Sequence, residues 1–479
     1  MRYKYNINSI SNNFIKKILD NFKYYLNINS DLDFIIDKVK VTKNSKKRYD
    51  EAFLLSKKYP KDPRAQLFLA QCMFHNWDNN WIDQMNNYAT LRNEWIKTNG
   101  LNNINMEFID KNMVTGSLGN YYAIQGLLEA NFYKLRPKKN LYLLLPKNLK
   151  PRNKNLFEYF APHVNIVSDK KQIYNLQKLN SFLKLPLGFF VPLSNKSAFL
   201  DWIPNLIQQE KKKLNKNESI LKLSQSDLEK GKNILKKMGL PKESWHVTLH
   251  VREPGYRGEE RNSSKENFRN ADPKKYIKSI EAITELGGWV FTMGDSSMTK
   301  LPKMKNFIDY AHSEIKSDFM DVFLAATSKF CIGTSSGYYR IPKYFNVPVM
   351  LTNTTRYGEY FSLGEKDMFV PRVLKNKKTN TYINLEKAIT PPLSMCSSPE
   401  LYYMENNIGW TENESEELTL ATKEMLKRTV MNTKSTESNE QMKFKLIAEN
   451  TFQKKTKQPL KSFASISSNF IERHSELIN

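Results

Sequence analysis

Cysteine is nearly absent: Cys72, Cys331 and Cys396 are all that 479 residues carry, with no CxxC pair. So few and so widely spaced thiols exclude a disulfide scaffold and a structural zinc site, and they predict a reducing compartment. No Gly-Lys-Ser/Thr closes a phosphate loop. Long apolar runs are missing too. The most hydrophobic window, residues 182–206, is broken by Lys184, Pro186, Pro192, Lys196, Asp201 and Pro204. A membrane-spanning helix needs about 20 mostly apolar residues, so this window predicts buried core or an interfacial element. Met1 to Asn13 is polar and rich in Tyr and Asn, with no apolar stretch before a cleavage site. The expectation is a cytoplasmic protein.

Acidic residues are the minority charge. Lys+Arg 74 against Asp+Glu 49 leaves +25. That surplus fits either a solvated basic surface or an anionic partner. An anionic membrane, touched peripherally from the cytoplasmic face, would satisfy it. No nucleic-acid-binding module is visible, so nucleic acid is not expected.

What the chain does have is hydrophobic residues at 40%, aromatics at 12% and enough length for two or three domains. Residues 1–105 read as helical. Arg48 to Leu55, a turn through Pro60 and Pro63, and Ala65 to Ala70 resemble one tetratricopeptide helix pair. A lone unit must pack on something else, and an ordinary helical hairpin fits equally. From 106 to 235 a βαβ pattern is expected. Met113-Val114 reads as the end of a strand, followed by a turn with Gly116, Ser117, Gly119 and Asn120, a helix over 121–134, and strands at 141–145 and 164–167. A glycine-containing turn before a helix suits close approach of a ligand to free N–H groups, though it also fits many ordinary turns. Residues 208–237, with Lys211-Lys212-Lys213, predict a surface helix pair whose charge run is a solvated face.

The region 236–395 carries the densest signal. Short apolar runs end repeatedly in polar clusters: WHVTLHV in Arg252-Glu253, WVFTM in Gly294-Asp295, NFIDYA in His312-Ser313, KFCIG in Thr334-Ser335-Ser336, VPVML in Thr352-Asn353. Such runs, alternating with helical patterns, predict strands of a parallel sheet, whose ligands sit beyond the carboxyl ends of the strands. Asp272-Pro273 marks the start of a helix that Gly287-Gly288 ends, and Ser317 is a cap for the next. Residues 396–479 predict helices: one over 412–428, a polar linker over 432–441 and a last one over 464–478.

Each candidate has a functional and a structural reading. Arg252 offers a permanent fork of donors for phosphate oxygens, with His250 on the same face if the strand continues. Otherwise it pairs with Glu253 or Glu259, and Arg257 and Arg261 add positive charge to the same loop. Thr334, Ser335 and Ser336 offer hydroxyls and the N–H groups of the next helix as a pyrophosphate cradle. Asp295 is a general base, a sugar-hydroxyl ligand or a helix cap. His312, at an expected strand end, is a catalytic or donor-binding candidate. The DxD at Asp31-Leu32-Asp33 lies in the helical region, away from any sheet edge, and no metal site is expected.

The stretches LHVREPGYR (249–257), FRNAD (268–272), GGWVFTMGD (287–295), IDYAHSEIKSDFMDVFLAATSKFCIGTSSG (308–337) and VPVMLTN (347–353) resemble a bacterial family of glycosyltransferases. A tetratricopeptide-like part also occurs beside such domains. More remotely, His-x-Arg, a strand ending in Asp, and Ser-Ser before a helix are similar to the α1,6- and protein O-fucosyltransferase group. That resemblance implies an α/β chain of GT-B type: two Rossmann-like domains facing a cleft, behind an N-terminal helical region. It implies metal-independent transfer of a hexosyl or fucosyl group from a nucleotide-sugar, which is substrate and not cofactor, to a glycan, lipid-linked glycan or protein. In it, Arg252 corresponds to the phosphate-binding arginine, His250 to its neighbouring histidine, Asp295 to the acidic strand-end residue, and Ser335 and Ser336 to the hydroxyl pair. The N-terminal domain would hold the acceptor. The group often has a second arginine where this chain has Glu253, so the likeness does not extend to the donor's identity. A nucleotide-sugar epimerase of the same fold, or an inactive nucleotide-binding adaptor, remain the alternatives.

Overall fold

The computed structural model describes residues 30–98 apart from 43, 77 and 79, then 105–176 apart from 175, 190–193, 197–255 apart from 217, 264–395, 399–433 and 436–479. Arg257, Glu259, Arg261 and Cys396 lie outside the described residues. The chain divides into two compact units, one of residues 1–152 and 157–203, the other of 153–156 and 204–479. Among the described residues no helix is long and apolar enough to cross a membrane.

The first unit begins with helices Ser30–Lys40, Ser45–Lys58, Pro63–His75 and Trp81–Thr98. The second and third form the expected pair. Asp62 accepts from the Arg64 N–H and Pro63 occupies the first turn, where its missing N–H costs nothing. Asp33 of the DxD sequence is paired to Arg64 at 2.8 Å. A three-stranded parallel sheet follows, in the order β1 (Met106–Ile109), β2 (Asn140–Leu144), β3 (Asn165–Val167). A short antiparallel pair, β4 (Phe190–Pro192) and β5 (Ser197–Phe199), ends the unit. The strand expected at Met113-Val114 lies earlier in the chain. Asn112–Thr115 is a helical turn, started by the Asp110 side chain accepting from the Asn112 N–H at 2.8 Å. Apolar content alone does not separate a strand from one turn of helix.

The second unit is built on a seven-stranded parallel sheet. Its strands are β6 (His246–His250), β7 (Trp289–Thr292), β8 (Phe307–Ile308), β9 (Cys331–Thr334), β10 (Val349–Thr352), β11 (Met368–Val370) and, far along the chain, β14 (Ser465–Ile466). The order across the sheet is β14-β11-β10-β9-β6-β7-β8. Every residue of β6, β9, β10 and β11 is buried, as expected of a parallel sheet covered on both faces. Pro273–Tyr276 forms a 3₁₀ turn that continues as helix Ile277–Glu285, with Asp272 accepting from the Lys274 N–H. Gly287, at φ +80°, ends this run, and a Cβ on Gly288 would lie 2.4 Å from the Trp245 ring. Ser317 caps helix Asp318–Thr327, as expected.

The C-terminal part differs from its expectation. β12 (Val373–Asn376) and β13 (Ile408–Thr411) form an antiparallel pair, and helix Ser415–Thr429 follows. The linker gives way at Ser438 to an 18-residue helix, Asn439–Thr456, closed by a reciprocal Ser438–Gln441 capping box. The helix expected over 464–478 is instead strand β14, helix Ser468–Arg473 and a 3₁₀ turn. The Tyr360 hydroxyl donates to the Ala464 carbonyl at 2.8 Å and the Gln441 amide to the Ile466 carbonyl at 2.5 Å, drawing the segment onto the sheet edge. The Lys run also departs from a solvated face. Lys212 and Lys213 are exposed, but Lys211 is buried.

Candidate functional site

The strand order locates the site. From β6 the chain passes to β7 and β8 on one side, then returns to β9 on the other and continues outward to β10 and β11. The reversal puts a topological switch point between the carboxyl ends of β6 and β9, where open parallel sheets place ligands. His250 ends β6, opposite Gly333 of β9, with Arg252 two residues on and Thr334 to Ser336 leaving β9. The structure therefore brings His250, Arg252, Thr334, Ser335 and Ser336 together at this edge.

His250 is buried. Its Nδ1 donates to the Met293 carbonyl at 2.9 Å, which leaves Nε2 as an acceptor. Burial lowers its pKa to about 4, with the charges of Arg252 and Arg269 acting the same way and the Met293 carbonyl and Asp295 opposing. The ring is neutral at pH 7. β6 stops at His250, so Arg252 stands in the loop beyond it, held differently from a strand residue. Its N–H donates to the Thr334 hydroxyl at 2.9 Å, its carbonyl accepts from the Ala271 N–H at 3.0 Å, and its guanidinium donates to the Asn270 side chain. Glu253, one of the two partners that the structural reading offered Arg252, accepts from the Thr299 N–H at 2.8 Å and from its hydroxyl.

The serines are not at a helix N-terminus. The next helix, Arg340–Tyr344, begins four residues after Ser336 and has only five residues. Ser335 donates its hydroxyl to Glu359 at 2.8 Å, and its carbonyl accepts from Arg269 at 2.6 Å. Glu359 also accepts from Thr354 at 2.9 Å and lies 3.5 Å from Arg356. Thr334 is committed to the Arg252 backbone. Ser336 Oγ is buried and makes no hydrogen bond with the described residues. Of the three hydroxyls, that of Ser336 alone makes no hydrogen bond with the described residues.

Asp295 stands three residues beyond the end of β7, after Gly294 at φ +149°, rather than on the strand. Its Oδ1 accepts from the Ser297 N–H at 2.9 Å and the Ser297 hydroxyl at 2.5 Å, so the side chain stabilises its own turn. His312 lies in a 3₁₀ turn four residues past β8. Its Nδ1 faces the Asp309 carboxylate at 2.9 Å and its Nε2 the Ser296 carbonyl at 3.3 Å. This joins the turns after β7 and β8, beside but apart from the β6/β9 group.

Gly116, Ser117, Gly119 and Asn120 belong to the first unit, between β1 and helix Tyr121–Phe132. The Ser117 hydroxyl donates to Asn120 at 3.0 Å and the Asn120 amide to the Asn112 carbonyl at 3.0 Å, which closes the loop on itself. A Cβ on Gly116 would meet that same carbonyl at 2.6 Å, so the tight turn accounts for the glycine.

Three residues that sequence reasoning passed over complete the edge. Arg269 and Asn270 lie in the FRNAD stretch, which resembles the glycosyltransferase family without revealing which side chain does what. Glu359 carries no signal at all, because its partners Ser335 and Thr354 come from different strand ends. Among the described residues no group of three His, Cys, Asp or Glu side chains is placed to hold a metal ion.

No protein-family profile and no curated protein matches this chain. Among solved structures, a glycosyl transferase family 9 protein from Veillonella parvula DSM 2008 is similar at 9% identity over 67% of this chain and 96% of that one, with a TM-score of 0.40. The iron-containing dodecameric glycosyltransferase TibC from enterotoxigenic E. coli H10407 is similar at 13% identity over 53% of this chain and 59% of its own length, with a TM-score of 0.30. Likenesses this remote assign neither family nor activity.

Proposed function

We propose that the protein is a glycosyltransferase that binds a nucleotide-sugar at the carboxyl edge of its seven-stranded sheet. The observation that carries the reading is the convergence of Arg252, neutral His250 and the uncommitted Ser336 hydroxyl at the β6/β9 switch point. A guanidinium matches phosphate oxygens, the imidazole Nε2 accepts from a sugar or ribose hydroxyl, and a buried hydroxyl gains a partner when a phosphate enters. Two units, each with a parallel sheet, fit the GT-B composition implied by the sequence resemblance. The first unit would supply the acceptor side. In transfer, Arg252 and Ser336 stabilise charge developing on the leaving diphosphate, while a carboxylate takes the acceptor proton. We assign that base to Asp295, whose Oδ2 takes no part in the bonds to Ser297.

The inactive-adaptor reading is favoured by one fact: Glu253 and His312 are already engaged by Thr299, Asp309 and Ser296. Thermal denaturation with UDP, GDP, ADP, CDP and dTDP separates the readings. A ligand that binds only the folded state raises the transition temperature. At least one diphosphate should do so, by the same margin in excess chelator, and its sugar conjugate should turn over with acceptor. Stabilisation without turnover supports the adaptor, and no stabilisation by any of the five removes the donor site.

A further inference from the structure

Arg252 is held more firmly than a surface arginine would be, and the grip traces back to one buried cation. Arg372 is 0% exposed. It donates to the Phe268 carbonyl at 3.2 Å, to the Asn270 carbonyl and to the Asn353 side chain at 3.3 Å. Two consecutive grips on residues 268–270 fix the loop that lies over Arg252. From that loop the Ala271 N–H reaches the Arg252 carbonyl and the Asn270 Oδ1 receives the Arg252 guanidinium. The Asn270 amide is braced in turn, donating to Asn267 Oδ1 at 3.2 Å.

We propose that Asn270 is a positioning residue: it aims the Arg252 fork at the diphosphate and is itself locked by Arg372. The inference rests on the donor-site reading above. An arginine side chain loses rotamer entropy when it is fixed, so a fork already held at one N–H loses less on binding phosphate. The choice of an amide matters. A carboxylate at position 270 would hold the fork equally well but oppose its charge, whereas the Asn270 oxygen is neutral and orients the fork without adding a negative charge.

The test is a double-mutant cycle on the full chain, with affinity for the tightest-binding of the five diphosphates read by calorimetry. Arg252→Ala should weaken binding by tenfold or more. Asn270→Ala should weaken it roughly five- to tenfold. In the Arg252→Ala background the same Asn270→Ala change should have almost no further effect, because its action runs through the missing guanidinium. Asn270→Ser serves in the same cycle where the alanine variant does not fold. Equal losses from the Asn270 change in both backgrounds, or no loss in either, overturn the positioning role while leaving the donor site standing. An unchanged affinity in Arg252→Ala removes the donor-site reading, and this inference with it.

Discussion

Replacing Arg252 by Ala deletes the guanidinium but keeps the backbone bond to Thr334, so the sheet edge should survive the change. Diphosphate binding is expected to fall by about 1.5–3 kcal/mol, roughly tenfold to a hundredfold, while nucleoside binding changes little. Calorimetry with both ligands checks this. Asp295→Asn is an equally clean probe, because an amide oxygen can still accept from Ser297 and preserve the turn. Turnover should drop by about a hundredfold or more with donor binding nearly intact, the size of a lost proton-transfer group. Normal turnover would exclude Asp295 as the base, and a parallel loss of donor binding would make it a ligand. At this scale the sequence was informative about residue type and poor about partners. Arg252 was readable as a phosphate candidate, but its bond to Asn270 was not, since two residues 18 apart meet only when the 264–272 loop folds over β6.

At the scale of elements, caps and strand runs were the legible features. Asp272 and Ser317 cap helices as their residue types predict, because an oxygen two or three residues ahead of an orphan N–H needs no tertiary help. Packing between elements was not legible, and Gly231 shows why. It sits inside helix Gln225–Lys237, where alanine would gain about 1 kcal/mol of helix propensity. A Cβ there would stand 2.2 Å from the buried Phe323 ring of helix Asp318–Thr327. Overpacking typically costs about 1–3 kcal/mol, so the clash should win and Gly231→Ala should lower the urea midpoint. A midpoint at or above wild type would mean that Phe323 can move aside.

The whole molecule should respond to mild acid through two histidines. His246 and His250 are buried, and desolvation lowers both from 6.5 to about 4. Between those values the unfolded chain binds a proton that the folded ring refuses. Stability is therefore complete above about pH 6.5, is lost as pH falls toward about 4, and loses nothing more from these groups below that. Each contributes about 1.4 kcal/mol per pH unit inside the window. Urea denaturation at pH 7 and pH 5 should show the loss, and His246→Gln, which keeps a polar group near the Leu324 carbonyl, should reduce its slope. An unchanged slope in that variant would assign the acid sensitivity to other groups.

Local chemistry was determined by the sequence alone: a parallel α/β class for the second unit, its successive strand positions from β6 to β10, the capped helices, and a polar edge bearing Arg252, His250 and the Thr334–Ser336 hydroxyls. Each follows from side-chain period, cap chemistry or strand-end composition within a few residues. Tertiary structure decided which hydroxyl stays uncommitted, that Glu253 turns to Thr299, and that Arg372 and Asn270 stand behind Arg252. It also drew Ser465–Ile466 into the sheet as a strand, beside β11, in place of a terminal helix. The reason is common to all of them. A polar group's partner, or a short segment's conformation, is chosen by burial among residues distant in the chain, and that choice exists only once the sheet has assembled.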